Sequence, residues 1–356
     1  MTVLYVVGGF LGSGKTTAIA AAARVLLADG QRVGVITNDQ GKYLVDTAFF
    51  QAERLPTVEV TGGCFCCNYD DLDSRFAELQ ARYQPDVVFA ESVGSCADVV
   101  ATVIKPLLEL SARPASLSVF ADSRLLFRRL RGDELPFADD VVYIFDKQLE
   151  EADLVVVNKI DLLSEADQAE LVERAERSLP GKRILLHSAY EPNSTRRWLD
   201  ALAVSEASAR RTSLDIDYQR YGGGEADLAW LDAEIELRLC DADRRDLVQA
   251  FLVRLEHQLS VERIPIGHLK LVVADGDTQA KFSLTAINEP GWEATVPLRR
   301  SNHLTLLLNL RAQTEANRLE AAARAALADA LGGGEPARWS AQYFQPGFPK
   351  PTHRLP

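Results

Sequence analysis

The chain is short of several things, and each shortage closes off a class of function. No apolar run reaches the roughly 18 residues that a bilayer crossing needs, so no membrane span is expected. Basic residues are outnumbered, 39 Lys and Arg against 51 Asp and Glu, for a formal net charge of −12. That balance argues against nucleic acid or an anionic membrane as the main partner. No basic segment precedes the first apolar run, so that run reads as the first strand of the fold rather than a signal peptide, and a cytoplasmic location is expected. Histidines number five, at 187, 257, 268, 303 and 353, each alone. Isolated histidines are more often core or surface residues than ligands, and none is assigned. Cysteines also number five, but unevenly: three crowd at 64, 66 and 67, while Cys96 and Cys240 stand apart. That is not the spacing of a disulfide framework, and it fits a reduced compartment with a metal or redox site.

What is present begins at once. Val3 to Val7 lead into Gly9-Phe10-Leu11-Gly12-Ser13-Gly14-Lys15-Thr16-Thr17, followed by an alanine-rich stretch of helical character. This matches G-x-x-x-x-G-K-[ST] between a strand and a helix, the context that a phosphate-binding loop requires. Gly12 and Gly14 let backbone N–H groups around Ser13 turn toward phosphate oxygens, and the helix adds its positive end. Lys15 would reach the β- and γ-phosphates, and the Thr16 hydroxyl would bind Mg²⁺, with Thr17 beside it. A second buried strand at 33–37 ends at Asn38-Asp39-Gln40-Gly41. Ligands gather at the carboxyl ends of such strands, so Asp39 is expected near the phosphates, as a Mg²⁺ ligand acting through water or an orienter of the attacking water. An Asn-Asp turn is the plainer reading of the same residues.

A third strand, 57–60, runs into Gly62-Gly63-Cys64-Phe65-Cys66-Cys67-Asn68. Three thiols in four residues are a dense set of soft donors, suited to Zn²⁺, Cu⁺ or, less often, Co²⁺. One segment would supply three ligands, and a fourth must come from a carboxylate, a second chain or water. Buried small hydrophobes and a redox pair are the competing readings of Cys64, Cys66 and Cys67. The strand at 87–90 ends in Glu91, placed to hold Mg²⁺, and Gly94 follows three residues on, where its N–H can sense a γ-phosphate. Glu91 to Gly94 resembles the D-x-x-G switch of GTPases with Glu for Asp. Cys96 is tempting as a fourth thiol, but a lone cysteine is more often a small apolar filler.

The strand at 154–157 ends in Asn158-Lys159-Ile160-Asp161. In a chain with a phosphate loop this reads guanine: the Asp161 carboxylate accepts from the base's N1 and exocyclic amine, the Lys159 stem covers the ring and Asn158 braces the loop. Residues 185–189 resemble the last strand and the Ser188-Ala189 loop whose backbone N–H contacts guanine O6. Alternating strands and helices then give a mostly parallel, doubly covered α/β sheet over residues 1–204. Residues 205–226 read as a linker with a Gly222-Gly223-Gly224 punctuation. Residues 227–333 read as a smaller α+β, ferredoxin-like domain. Residues 334–356 read as a proline-rich tail, docked on the protein's own surface.

Taken together, Gly-Gly-Phe-Leu-Gly-Ser-Gly-Lys-Thr-Thr, Gly-Gly-Cys-Phe-Cys-Cys, Glu-Ser-Val-Gly and Asn-Lys-Ile-Asp resemble the CobW-type GTPases, relatives of the urease and hydrogenase nickel-insertion GTPases. The resemblance covers residues 1–203 strongly and the second domain weakly. It implies GTP binding, slow hydrolysis to GDP with Mg²⁺, and handling of a transition metal, Zn²⁺ or Co²⁺, on Cys64, Cys66 and Cys67. It also implies delivery to a client metalloprotein or a cofactor-assembly enzyme, with a homodimer as a further expectation. The chain departs from many such relatives: it has no histidine-rich stretch, and Lys42 stands where they carry an acidic residue. A G-protein that gates its client without carrying metal, and a P-loop kinase of a small metabolite, remain alternative readings.

Overall fold

The computed structural model describes residues 2–41, 45–204, 212–238, 247–276, 278–288, 290–298 and 302–356. Lys42, Cys240 and part of the expected linker, 205–211, lie outside the described residues. The chain divides into two compact units, residues 1–40, 46–224 and 348–356 forming one, and 41–45 with 225–347 the other.

The first unit alternates strands and helices: β1 (Val3–Gly9), α1 (Lys15–Ala28), β2 (Val33–Asp39), α2 (Val45–Ala52), β3 (Thr57–Thr61), α3 (Tyr69–Tyr83) and β4 (Val87–Glu91). A π-helical turn at Val100–Ile104 runs into α4 (Lys105–Glu109), then β5 (Ala115–Asp122), α5 (Ser123–Arg131) and α6 (Asp139–Glu151). β6 (Leu154–Asn158), α7 (Glu165–Ser178), β7 (Arg183–Leu186), α8 (Pro192–Val204) and α9 (Tyr218–Ala226) follow. The strands form a seven-stranded sheet in the order β3-β2-β4-β1-β5-β6-β7, each described pairing parallel. Parallel strands covered on both faces must be apolar throughout, and β4 and β6 are buried at every position. α3 instead shows a single apolar stripe, with Leu72, Phe76 and Leu79 at helical spacing. Trp198 of α8 is fully buried and packs on Phe120 and Phe89, its indole N–H donating to Ser118 Oγ at 3.1 Å. β1 lies at the switch point, with β4 on one side and β5 on the other, so its carboxyl end opens the crevice where ligands bind in such sheets.

The second unit comprises β8 (Leu228–Arg238), α10 (Leu247–Val261), β9 (Ile266–Asp275), β10 (Thr278–Thr285), β11 (His303–Gln313), α11 (Ala316–Ala330) and β12 (Arg338–Phe344). The strand order is β10-β9-β11-β8-β12, antiparallel throughout. Without the edge strand β10, this is the split β-α-β arrangement expected of a ferredoxin-like domain. One core joins the inward residues of β8, β9 and β11 to Phe251, Leu255, Leu319 and Leu327 of the two helices.

Two boundaries differ from the sequence reading. The end of the expected 205–226 linker is helical, because the glycines permit close approach: a Cβ at Gly224 would lie 2.4 Å from the Asp140 carbonyl oxygen. The expected tail is also divided. Residues 338–344 form edge strand β12, whose register sets Trp339 opposite Ile235, and only 348–356 lie along the first unit, as expected of a self-docked tail.

Candidate functional site

The turn after β1 brings its groups together through the helix it opens. Gly14 caps α1 in the left-handed region, which the absence of a side chain permits, and the Lys15 ammonium donates to the carbonyls of Gly9 at 2.7 Å and Phe10 at 3.3 Å. Lys15 is therefore buried within the loop whose phosphates it would contact. Gly12 and Gly14 both have positive φ, as the tight turn requires. The Thr16 hydroxyl donates to Glu91 Oε1 at 2.8 Å and lies 3.1 Å from Asp46 Oδ1. One hydroxyl and two carboxylates are hard oxygen donors of the kind that Mg²⁺ takes. The sequence reading gave the second carboxylate to Asp39, which ends β2 opposite Thr61. Here α2, an element the sequence did not announce, delivers Asp46 from its first turn.

The turn after β6 is tied to the loop after β1 through Asn158. Asn158 Nδ2 donates to the Ser13 carbonyl at 2.8 Å, and Asn158 Oδ1 pairs with His187 Nδ1 at 2.7 Å. His187 is fully buried, and burial pushes its pKa down to about 4, so a neutral ring meets Asn158. Lys159 adopts a left-handed conformation, its ammonium 2.9 Å from Asp122 Oδ2. Asp122 titrates at about 2: burial opposes ionisation, but the charges of Lys159 and Arg124 and their hydrogen bonds outweigh it. Asp161 lies in a 3₁₀ turn just beyond. The N–H of Ser188 donates to Ser194 Oγ at 3.0 Å.

Across the sheet edge, Asn38 fixes the cysteine loop. Its Oδ1 accepts from the Phe65 N–H at 2.8 Å, and its Nδ2 donates to the carbonyls of Gly63 at 2.7 Å and Val60 at 3.1 Å. The loop then turns tightly, the N–H groups of Cys67 and Asn68 both reaching the Cys64 carbonyl at 3.0 Å. The sulfurs of Cys64, Cys66 and Cys67 consequently lie within 4.8 Å of one another, with Cys64 to Cys67 at 3.4 Å and Cys66 to Cys67 at 3.7 Å. Thiol contacts from Cys66, Cys67 and Cys96 pull the Cys64 pKa well down. The same sharing pushes Cys66 well up, first through Cys64, and Cys67 up to about 11. One thiolate is thus favoured among mutually hydrogen-bonded sulfurs. Cys96, set aside in the sequence as filler, is likewise buried.

The loop from Gly94 to Cys96 is equally well held. A Cβ at Gly94 would lie 2.7 Å from a methyl of Leu11 and 3.0 Å from its nitrogen, so only glycine fits against the phosphate loop there. Gln148 Nε2 of α6 donates to the carbonyls of Gly94 at 3.0 Å and Cys96 at 2.8 Å. Beyond it, the fully buried Glu151 is pushed by desolvation up to about 8, although it accepts from the Val100 N–H at 3.1 Å. Residues 348–356 complete the surroundings. The Lys350 N–H donates to Cys67 Sγ at 3.3 Å, and the Thr352 N–H donates to the Cys66 carbonyl at 2.8 Å. The Thr352 hydroxyl donates to the Cys67 carbonyl at 2.9 Å. The His353 ring meets Tyr69 edge-on, and Arg354 Nε donates to Asp98 at 2.7 Å. Asp46, Gln148 and the clamping role of Asn38 were not assigned from sequence, and the self-docked tail was not placed at the cysteine loop; only the polar residues after β2 offered a hint.

Among the described residues, no helix is long and apolar enough to cross a membrane. Residues 3–186 match the family model for the CobW/HypB/UreG nucleotide-binding domain. Zinc chaperone CobW of Sinorhizobium sp is 31% identical over 189 residues, covering 44% of this chain and 51% of that protein. Urease accessory protein UreG of Aliarcobacter butzleri (strain RM4018) is 30% identical over 210 residues, covering 55% of this chain and 96% of UreG. Zinc chaperone YeiR of Escherichia coli (strain K12) is 31% identical over 201 residues, covering 53% of this chain and 56% of YeiR. The chain thus spans about half the length of the two zinc chaperones it matches.

Proposed function

Because the chain belongs to the CobW/HypB/UreG family of P-loop GTPases, we propose that it is a GTP-hydrolysing metallochaperone that carries Zn²⁺ or Co²⁺ on Cys64, Cys66 and Cys67. The metal is cargo, passed to a client metalloprotein or cofactor-assembly enzyme. In this reading Gly12, Ser13, Gly14, Lys15, Thr16 and Thr17 hold the phosphates. Thr16, Glu91 and Asp46 would hold Mg²⁺, which would supply charge neutralisation for the phosphates. Asp39, at the carboxyl end of β2, orients the attacking water. Asp161 accepts from the guanine N1 and amine, and Lys159 covers the ring. Because the Ser188 N–H already donates to Ser194, the Ala189 N–H is the donor assigned to O6. Turnover is slow, as suits a timer.

The observation that carries the reading is the convergence of three sulfurs within 4.8 Å, on a loop tied through Asn38 to the carboxyl edge of the nucleotide-binding sheet. Soft donors at that spacing suit a borderline-soft cation. Equilibrium titration with Zn²⁺, Co²⁺ and Ni²⁺ in nucleotide-free, GDP and non-hydrolysable GTP-analogue states tests it. Metal affinity should differ about 5- to 150-fold between the nucleotide states, the range of ordinary allosteric coupling. A C64S/C66S/C67S variant that binds metal as tightly as the wild type in every state would sink the reading.

A further inference from the structure

We propose that residues 350–354 position the Cys67 sulfur for the metal, and do so from the loop that follows Gly94. The inference rests on the metal-carrying reading above and adds the groups that hold one of its ligands. Cys64 and Cys66 are buried, and Cys67 is the half-buried member of the three. The Lys350 N–H donates to Cys67 Sγ at 3.3 Å. The next N–H along the chain, that of Thr352, donates to the Cys66 carbonyl at 2.8 Å, and the Thr352 hydroxyl donates to the Cys67 carbonyl at 2.9 Å. Pro349 and Pro351 flank Lys350. A proline fixes φ and carries no N–H, so the amide donors from 349 to 352 are those of Lys350 and Thr352, and both are spent on the cysteine loop. A tail that merely covered the surface would have no need to aim an N–H at sulfur. A thiolate that accepts an N–H is held in one orientation and has its donor strength set, which is how outer partners tune a metal centre.

The same segment is fastened on its far side. Arg354 Nε donates to Asp98 Oδ2 at 2.7 Å, beside the Tyr218 hydroxyl at 2.6 Å, and the Leu355 N–H donates to the Ala101 carbonyl at 2.9 Å. Asp98 is 1% exposed, so the tail's guanidinium supplies the countercharge of a buried carboxylate. Asp98 lies on the loop whose carbonyls at Gly94 and Cys96 are held by Gln148. At the head of that loop Gly94 rests on Leu11 of the phosphate loop, with no room for a Cβ. The tail thus bonds both the loop that meets the nucleotide cradle and the loop that bears the sulfurs. A rearrangement of Gly94 toward a γ-phosphate would shift Asp98, and through Arg354 the amide on Cys67. Metal would then meet the same three sulfurs in both nucleotide states, with Cys67 held in one and loosened in the other, a discrete change of the kind that carries coupling.

Magnetic resonance of the full wild-type chain loaded with an NMR-active isotope of Cd²⁺ tests the bond without a variant. A proton–cadmium correlation across the N–H···S bond is expected at the Lys350 amide; correlations at the cysteine β-protons alone overturn the proposal. Co²⁺ titrations of Lys350→Pro, which removes the N–H, and Lys350→Ala, which keeps it, provide the second arm. K350P should lose about tenfold or more in affinity, with its sulfur-to-cobalt absorption moved to lower energy as the thiolate becomes a stronger donor, and K350A should match the wild type in both. The double variant D98N/R354A removes the anchor without leaving a buried charge unpaired. It should narrow the difference in metal affinity between the GDP and GTP-analogue states, and an unchanged difference overturns the link to the Gly94 loop. If K350P matches the wild type while C64S/C66S/C67S loses the metal, this proposal falls and the metal-carrying reading stands. If the triple variant also matches the wild type, the metal-carrying reading itself has failed. Should K350P not fold, the cadmium measurement on the wild type decides.

Discussion

Asp232 on β8 and the sulfurs near β3 are both buried polar groups, one in each compact unit, and their surroundings differ in kind. Asp232 Oδ1 accepts from Arg311 at 2.7 Å and from Asn309 Nδ2 at 2.6 Å. Asn309 in turn pairs with His268 Nε2 at 2.7 Å, and the Arg311 guanidinium lies 3.8 Å from the Trp230 ring centroid. The chain supplies Oδ1 with both donors and a countercharge, and both members of the ion pair are essentially inaccessible. In the thiol cluster sulfur faces sulfur, and lowering one pKa raises its neighbours'. A buried cluster closed by its own opposite charges is built to stay as it is. A buried cluster of like donors becomes favourable when a cation enters. That contrast separates a structural network from a binding site more sharply than burial does.

The comparison can be broken most forcefully at Asp232. Asp232→Ala leaves Arg311 charged and buried, so denaturant unfolding should show a loss of about 3–5 kcal/mol. The Zn²⁺ affinity of the protein that remains folded should not change. A parallel loss of metal affinity would show that the two clusters are not separable.

Asn38→Ala strikes the other side more gently. It removes the clamp on the cysteine loop but no sulfur, so metal affinity should fall about 10- to 100-fold, the usual cost of losing an outer partner of a ligand. Competition with a chromophoric chelator measures it, and an unchanged affinity would mean the loop holds its shape without Asn38.

A smaller effect sharpens the role of the neighbouring loop. Glu151 has a folded pKa raised to about 8 from an ordinary 4.5, so the native state binds more protons than the unfolded chain between those values. Stability contributed by its neutral form is complete below about pH 4.5 and is lost as pH rises toward 8, at no more than about 1.4 kcal/mol per pH unit. Glu151→Gln should flatten that slope in unfolding measurements at pH 5, 6 and 7; an unaltered slope would assign it to another group.

Much of the first unit was legible because its signals are local. The phosphate loop, the tetrapeptide at Asn158 and the three crowded cysteines each lie within a few residues, between strands whose apolar runs announce a parallel sheet. Most of the strands of the second unit were equally plain from alternation. What could not be read was convergence across distance. Asp46 reaches Thr16 from α2, a helix that no strong sequence pattern announces. Gln148 looked like any polar residue on an amphipathic helix, and nothing near it in sequence says that it holds the carbonyls of Gly94 and Cys96. Strand β12 was hidden by its proline-rich flanks, and its pairing depends on a vacant edge of β8 that only the assembled sheet reveals. In sequence the three glycines of α9 read as punctuation, whereas the approach of α6 makes small size the relevant property.

The segment 348–356 has a kinetic consequence. It bonds the carbonyls of Cys66 and Cys67 and the sulfur of Cys67, and Arg354 fastens it beyond them at Asp98. On the metal-carrying reading, loading of the buried Cys64 and Cys66 would be limited by how often this short strip of chain lets go, a local opening equilibrium rather than a diffusional encounter. Raising the metal concentration would speed loading only up to the opening rate, and a thiol reagent should reach the same ceiling with a chemistry unrelated to metal binding.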